Sequence, residues 1–196
     1  MKRHALRTLA AVAAFFISAI GAFDAGAASV LPLDLDQIAA GAQHIVHVRC
    51  TGNSVQADST IGAVTVTTFV VLDRAKGPAS PTLTVRQPGG ELNGMVTDYH
   101  VPKFSPGDEY VLFMPAPSKL GLASPVGLSQ GAFDVVRGRS GQEVGNGRDF
   151  AELLPGADSA TVPPGILARL KLAPTERKRM DLNDFMTLVR TKAGAK

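Results

Sequence analysis

Apolar and polar positions along the chain change period several times, and each change marks an element. In Leu31-Pro32-Leu33-Asp34-Leu35-Asp36-Gln37-Ile38-Ala39-Ala40-Gly41-Ala42 the residues Leu35, Ile38, Ala39 and Ala42 recur at i, i+3, i+4 and i+7. That spacing lines one face of a helix, and Asp34 is placed to cap its first amides. Ile45, Val46 and Val48 in the following His44–Cys50 segment favour an extended chain, and a polar stretch from Gly52 to Thr60 reads as a turn. Ala63-Val64-Thr65-Val66-Thr67-Thr68-Phe69-Val70-Val71-Leu72 is rich in β-branched side chains, whose stiffness suits a pleated sheet.

Lys76-Gly77-Pro78 interrupts the pattern before Thr82-Leu83-Thr84-Val85-Arg86 resumes with period two, and Pro88-Gly89-Gly90 stops it. Ser105-Pro106-Gly107-Asp108 fits a type II turn that leads into a strand over Glu109-Tyr110-Val111-Leu112-Phe113-Met114. Ala132 to Arg137 and Gln142 to Val144 flank Gly138-Arg139-Ser140-Gly141 and read as a hairpin. Beyond Phe150 the prolines at 155, 163, 164 and 174 suggest a loosely packed extension. Asp181 then caps a terminal helix with Leu182, Phe185, Met186 and Val189 on one face.

Strands grouped together, with helices at the ends, argue against an alternating doubly wound fold. The expected fold class is mainly β: a small antiparallel barrel of five to seven strands, with a short N-terminal helix and a C-terminal helix. Val64, Val66, Phe69, Val71, Val85, Val111, Phe113 and Val135 are its expected core.

The start of the chain changes the composition argument. Lys2, Arg3 and Arg7 precede an apolar stretch from Ala10 to Phe23 interrupted only by Ser18, and Ala25-Gly26-Ala27-Ala28 supplies small residues. This order is that of a secretory signal, too short for the ~20 residues that span a bilayer. Cleavage after Ala27 or Ala28 is expected, giving a signal peptide over 1–28, a β-barrel domain over 29–147 and a Pro-containing extension with its helix over 148–196. Export to the periplasm or the medium follows, with no stable membrane insertion after cleavage.

Removing that leader takes away three positive side chains and Asp24, lowering the formal charge from +3 to +1. A nearly neutral chain gives no electrostatic argument for nucleic acid, and its locally basic run Glu176-Arg177-Lys178-Arg179 reads as solvated surface, so no nucleic-acid partner is expected. The lone Cys50 cannot close an intramolecular disulfide and reads as a small buried hydrophobe.

The order of helix, extended segment, long β-branched strand, Lys-Gly break and second strand, followed by Phe104-Ser105-Pro106-Gly107-Asp108-Glu109-Tyr110-Val111-Leu112-Phe113, resembles the netrin-like modules. These are OB-type barrels that include the tissue inhibitors of metalloproteinases. The chain also resembles a group of uncharacterised secreted bacterial proteins in which a Pro-Gly-Asp-Glu strand precedes a segment like Ser124-Pro125-Val126-Gly127-Leu128-Ser129-Gln130-Gly131. The resemblance covers roughly Leu33 to Val144 and implies a barrel. Inhibitors of that family chelate zinc through an N-terminal Cys, which a chain beginning near Ser29 lacks, so no functional residue carries over.

Several motifs have chemistry to weigh. Gly127-Leu128-Ser129-Gln130-Gly131 matches the G-x-S-x-G turn of hydrolases, but an extended segment follows and no His lies downstream. His44, His47 or His100 would have to serve Ser129 from another strand. His44-x-x-His47 would share a metal on a helix, whereas on a strand the two fall on opposite faces. Asp34 and Asp36 lack the remainder of a calcium loop, and Asp108-Glu109 reads as an exposed turn. Gln87-Pro88-Gly89-Gly90-Glu91 lacks the Gly-Lys-Ser/Thr ending of a phosphate loop.

No catalytic set, metal site or cofactor is therefore expected. Asn93, Met95, Tyr99, His100 and Lys103, in an irregular stretch beside the barrel, are the expected binding residues. The resulting expectation is a noncatalytic module that binds another secreted protein, an extracellular protease being one candidate; the alternative is a serine hydrolase using Ser129.

Overall fold

A computed structural model describes residues 31–138, 141–158, 160–172 and 178–194. The expected signal segment lies outside the described residues. Helix α1 (Leu35–Gly41) begins with a reciprocal cap: Asp34 accepts from the Gln37 amide at 2.8 Å, and the Gln37 side chain accepts from the Asp34 amide at 3.0 Å. Its face of Leu35, Ile38 and Ala39, continued by Ala42, is buried as the periodicity predicts.

Strands β1 (His44–Asp58) and β2 (Gly62–Lys76) form an antiparallel hairpin of 15 residues on each side. The expected turn from Gly52 to Thr60 is instead mostly strand. Cross-strand pairing continues to Ala57 opposite Ala63, and the reversal is confined to a tight turn in which the Asp58 carboxylate accepts from the Thr60 and Ile61 amides. Polar side chains along β1 therefore mark exposed positions of a ladder rather than its end.

Strands β3 (Thr82–Pro88), β4 (Gly90–Leu92), β5 (Met95–Thr97), β6 (Glu109–Met114), β7 (Ala132–Arg137) and β8 (Gln142–Gly145) follow. Helices α2 (Phe150–Leu153) and α3 (Pro164–Leu172), strand β9 (Met180–Asp181) and helix α4 (Leu182–Gly194) complete the described elements. Seven strands make one antiparallel sheet in the order β3-β2-β1-β6-β7-β8-β9, and β4 and β5 pair separately.

The mainly β expectation holds, but the sheet is not closed into a barrel. Among the described residues β3 pairs only with β2, and β9 only with β8. Each face instead buries its own apolar cluster. Ile45, Val111, Phe113, Phe133 and Val144 meet the helices through Phe150 and Phe185, with ring centroids 4.8 Å apart for Phe133 and Phe185 and 5.9 Å for Phe150 and Phe185. The alternate residues Val46, Val48, Cys50, Tyr110, Leu112 and Met114 lie with Phe69, Val85 and Phe104 on the other face.

Of the expected core, Val64, Phe69, Val85, Val111 and Phe113 are buried; Val66, Val71 and Val135 are partly buried. The terminal helix docks through its expected Leu182, Phe185, Met186 and Val189, and Asp181 accepts from the Asn183 and Asp184 amides. The Pro-containing stretch is less loose than its composition suggests, since Phe150, Leu153, Val162 and Ile166 join the helix-side cluster. Pro32–Lys196 is accordingly one compact unit.

Val111 has no exposed surface and sits on the helix side of a central strand. Val111→Asp buries an unpaired carboxylate there and is expected to destabilise the fold by roughly 4 kcal/mol or more, read by urea denaturation. A variant as stable as the native chain would refute the core assignment.

Candidate functional site

The chain leaves β3 through Pro88-Gly89-Gly90 and folds the β4–β5 hairpin back over the distal half of the β1–β2 hairpin. Gly89 and Gly90 have φ of +95° and +135°. A Cβ on Gly90 would lie 2.8 Å from Thr65 Oγ1 and 2.9 Å from the Val55 methyls, and one on Gly89 would lie 2.6 Å from the Thr97 carbonyl oxygen. These glycines permit close passage of backbone, a different use from the phosphate cradle considered for the motif. Two bonds hold the crossing: the Gly89 amide donates to Ala63 O at 2.9 Å, and the Thr65 hydroxyl donates to Gly89 O at 2.7 Å.

Asn93 and Gly94, with φ of 52° and 78°, form the two-residue turn that joins β4 to β5 and pairs Leu92 with Met95. Positive φ at both central residues is the type I′ geometry that matches strand twist, and Asn-Gly is its preferred dipeptide. The Asn93–Lys103 stretch thus begins as a regular hairpin, not as an irregular loop. Apolar residues of this stretch are exposed: Met95 by 76%, Val96 by 71% and, just beyond β5, Tyr99 by 49%.

A cleft of about 340 Å³ lies between this hairpin and the sheet. Its lining includes Tyr99, Val101, Pro102 and Phe104 on one side, and Asn53, Thr65, Thr67 and Gln87 from β1, β2 and β3. Tyr99 and Lys103 of the expected binding residues line it. Asn93 and Met95 lie on the hairpin, while His100 has φ of 57° and an exposed side chain. The Asp98 carboxylate accepts from the His100 amide at 2.7 Å and from Lys103 Nζ at 3.0 Å, and these bonds hold it below its ordinary range.

A second polar group gathers on the helix side of the sheet. Glu109 accepts from Arg49 Nη2 at 2.6 Å, from Gln142 Nε2 at 2.8 Å, and pairs with His47 Nε2 at 2.9 Å. Asp108 is exposed as the turn reading implies, but Glu109 is partly buried within β6. Burial alone would raise the Glu109 carboxyl; the bonds from Arg49, His47 and Gln142 outweigh it and leave the group below its ordinary 4.5. His44 instead faces the opposite side with Val46 and Val71, so the H-x-x-H residues diverge as strand geometry requires. Among the described residues no group of three or more His, Cys, Asp or Glu is placed to hold a metal.

Ser129 occupies an exposed 3₁₀ turn (Leu128–Gly131) that is followed by β7, and among the described residues its hydroxyl meets no histidine. Cys50 is buried in the apolar cluster with Val48 and Phe69, its thiol donating to Asn53 Oδ1 at 3.8 Å, and burial raises that thiol above the ordinary value. No described helix is long and apolar enough to cross a membrane. Comparisons with protein-family models, curated proteins and solved structures found no match.

Thr67 and Gln87, each 2% exposed, line the cleft yet escaped the sequence reading. Alternation placed them on the face of Phe69 and Val85, where a polar residue is a usable signal. The Asn93-Gly94 dipeptide was a second available signal.

Gly90→Ala is expected to cost about 1–3 kcal/mol and to expose the hairpin to proteolysis, because the added methyl meets Thr65 and Val55 at positive φ. Unchanged stability and proteolysis would show that the crossing is not sterically enforced. Since Glu109 is depressed in the folded state, its stabilising contribution is complete above the ordinary glutamate range and is lost as pH falls through the folded value. Urea midpoints between neutral pH and pH ~3 should therefore drop less steeply for Glu109→Gln than for the native chain; parallel pH profiles would refute this linkage.

Proposed function

We propose that this chain is a noncatalytic protein-binding module, acting in the periplasm or the medium, whose contact surface is the β4–β5 hairpin with its adjoining cleft. The observation that carries the reading is the exposure of Met95 and Val96 on a hairpin whose base is sterically anchored, with Tyr99 exposed just beyond it. Large exposed apolar side chains gathered beside a cleft, with a rim of polar groups around them, are a feature of interaction sites. Here the rim comprises Glu91, Asp98, His100 and Lys103.

The charged start followed by a short apolar run supports export as part of the same proposal. Kinship with netrin-like, OB-type modules is its finer structural component, supported by the order of a helix, a long antiparallel hairpin and the Pro-Gly-Asp-Glu strand. An extracellular protease is one partner class compatible with that kinship.

The test is affinity capture from the native compartment, with the native chain compared to a Met95→Asp, Tyr99→Ala double variant whose circular dichroism is unchanged. The variant is expected to lose at least about tenfold in retained partner, because truncating central apolar anchors costs more than ~1 kcal/mol each. Equal retention would reject this surface. Ester or peptide hydrolysis by the purified chain, abolished by Ser129→Ala with the fold intact, would replace the binding reading with a hydrolase.

A further inference from the structure

Along the sheet face that carries Phe69 and Val85, the buried pattern turns polar where the cleft begins. Two residues further along each strand, Phe69 of β2 gives way to Thr67, and Val85 of β3 gives way to Gln87. Both are 2% exposed. The neighbouring polar groups already have structural duties: Thr65 donates to Gly89 O, and Asn53 Nδ2 donates to Phe104 O at 2.6 Å.

Thr67 and Gln87 are differently placed. Among the described residues the Thr67 hydroxyl has no hydrogen-bond partner, and Gln87 makes one long bond, from Nε2 to Ser124 Oγ at 3.4 Å. The Gln87 carbonyl oxygen and one of its N–H groups remain unmatched. Buried polar groups without partners are destabilising, so two of them lining one cleft mark a place where a ligand's polar group is accommodated.

The chemistry of that group follows from what is unmatched. A hydroxyl and a carboxamide together offer donors and acceptors, and neither residue is charged; the charged lining residues Glu91, Asp98 and Lys103 are exposed, and Asp98 and Lys103 pair with each other at 3.0 Å. A carboxylate would bring no donor for the Gln87 oxygen, and an ammonium no acceptor for the Thr67 and Gln87 protons. A sugar brings more hydroxyls than Thr67 and Gln87 can serve, since the neighbouring Asn53 and Thr65 are already bonded. A carboxamide on an aliphatic stem matches both the polar lining and the apolar walls.

We propose that the cleft receives the carboxamide side chain of a glutamine or asparagine presented by a partner polypeptide, whose main chain crosses the Met95–Tyr99 lip. This rests on the protein-binding reading and specifies what that surface selects. Thr67 and Gln87 are the specificity-determining residues.

The test titrates ¹⁵N-labelled chain with N-acetyl-glutamine methylamide, with its glutamate and methionine counterparts, and with glucose, following the Gln87 side-chain NH₂ and the Thr67 amide. The carboxamide probe alone is expected to give saturable shifts, with Kd of about 1–10 mM for so small a ligand. Thr67→Val should weaken its binding by at least about fivefold while leaving the apo chain no less stable, because it removes an unmatched buried hydroxyl. Equal or tighter binding of the glutamate probe or glucose, no shift with the carboxamide probe, or an unaffected Thr67→Val variant would each overturn the inference. If partner capture depends on Met95 and Tyr99 but survives Thr67→Val and Gln87→Leu, the carboxamide selection falls and the protein-binding reading stands.

Discussion

Apolar residues on both faces of the central strands β1 and β6 impose the constraint on which the rest of the structure depends. Consecutive apolar residues, Ile45-Val46 in β1 and Tyr110 through Met114 in β6, send side chains alternately to opposite sides. Neither side can then face water. One side is covered by α1 and α4, which come from opposite ends of the described chain, and the other by Phe104 from the segment leading into β6. Phe104 packs edge-on to Phe69 and Tyr110 at centroid distances of 5.2 and 5.0 Å, and the Tyr110 hydroxyl accepts from the Ser105 amide. Such two-sided burial gives long apolar runs instead of the clean alternation of a sheet with one wet face.

The binding surface arises where that arrangement runs out. Beyond Phe69 and Val85 this face turns polar at Thr67 and Gln87, and a small hairpin lies over it. Its approach is so close that backbone meets side chain at Gly89 and Gly90. The hairpin consequently leaves a cleft with Thr67, Gln87 and Val96 along it, and leaves Met95 and Val96 exposed. Rigid anchoring at the base and apolar exposure at the tip are two consequences of one crossing.

The charged group on the helix side follows a different logic. Glu109 continues the face occupied by Val111 and Phe113, so it must bury part of its carboxylate next to a hydrophobic cluster. Donors from β1 and β8 satisfy it. A buried carboxylate matched in this way adds little net stability over an apolar alternative, but removing a donor would leave a costly unmatched charge. Across β1, Asp73 pairs with Arg190 of α4, so an ion pair also ties the terminal helix to the sheet.

Local signals by themselves determined the two amphipathic helices, their aspartate caps and most strand positions, because each depends on residues within one or two turns or on period-two alternation. Asp34 with Gln37, and Asp181 with the face of Leu182, Phe185 and Val189, are examples. The same signals misplaced the end of the first strand, since Gly52 to Asp58 is held extended by cross-strand bonds that no local propensity reports. Tyr99 and Lys103 were legible as residues of an exposed stretch; their meeting with Thr67 and Gln87 was not, because those residues are distant along the chain. Whether the sheet closes was likewise a tertiary decision. The helices and Phe104 cover its two faces, so a mainly β sequence yields an open sheet: closure depends on which surfaces are already covered, and alternation along a strand carries no information about its cover.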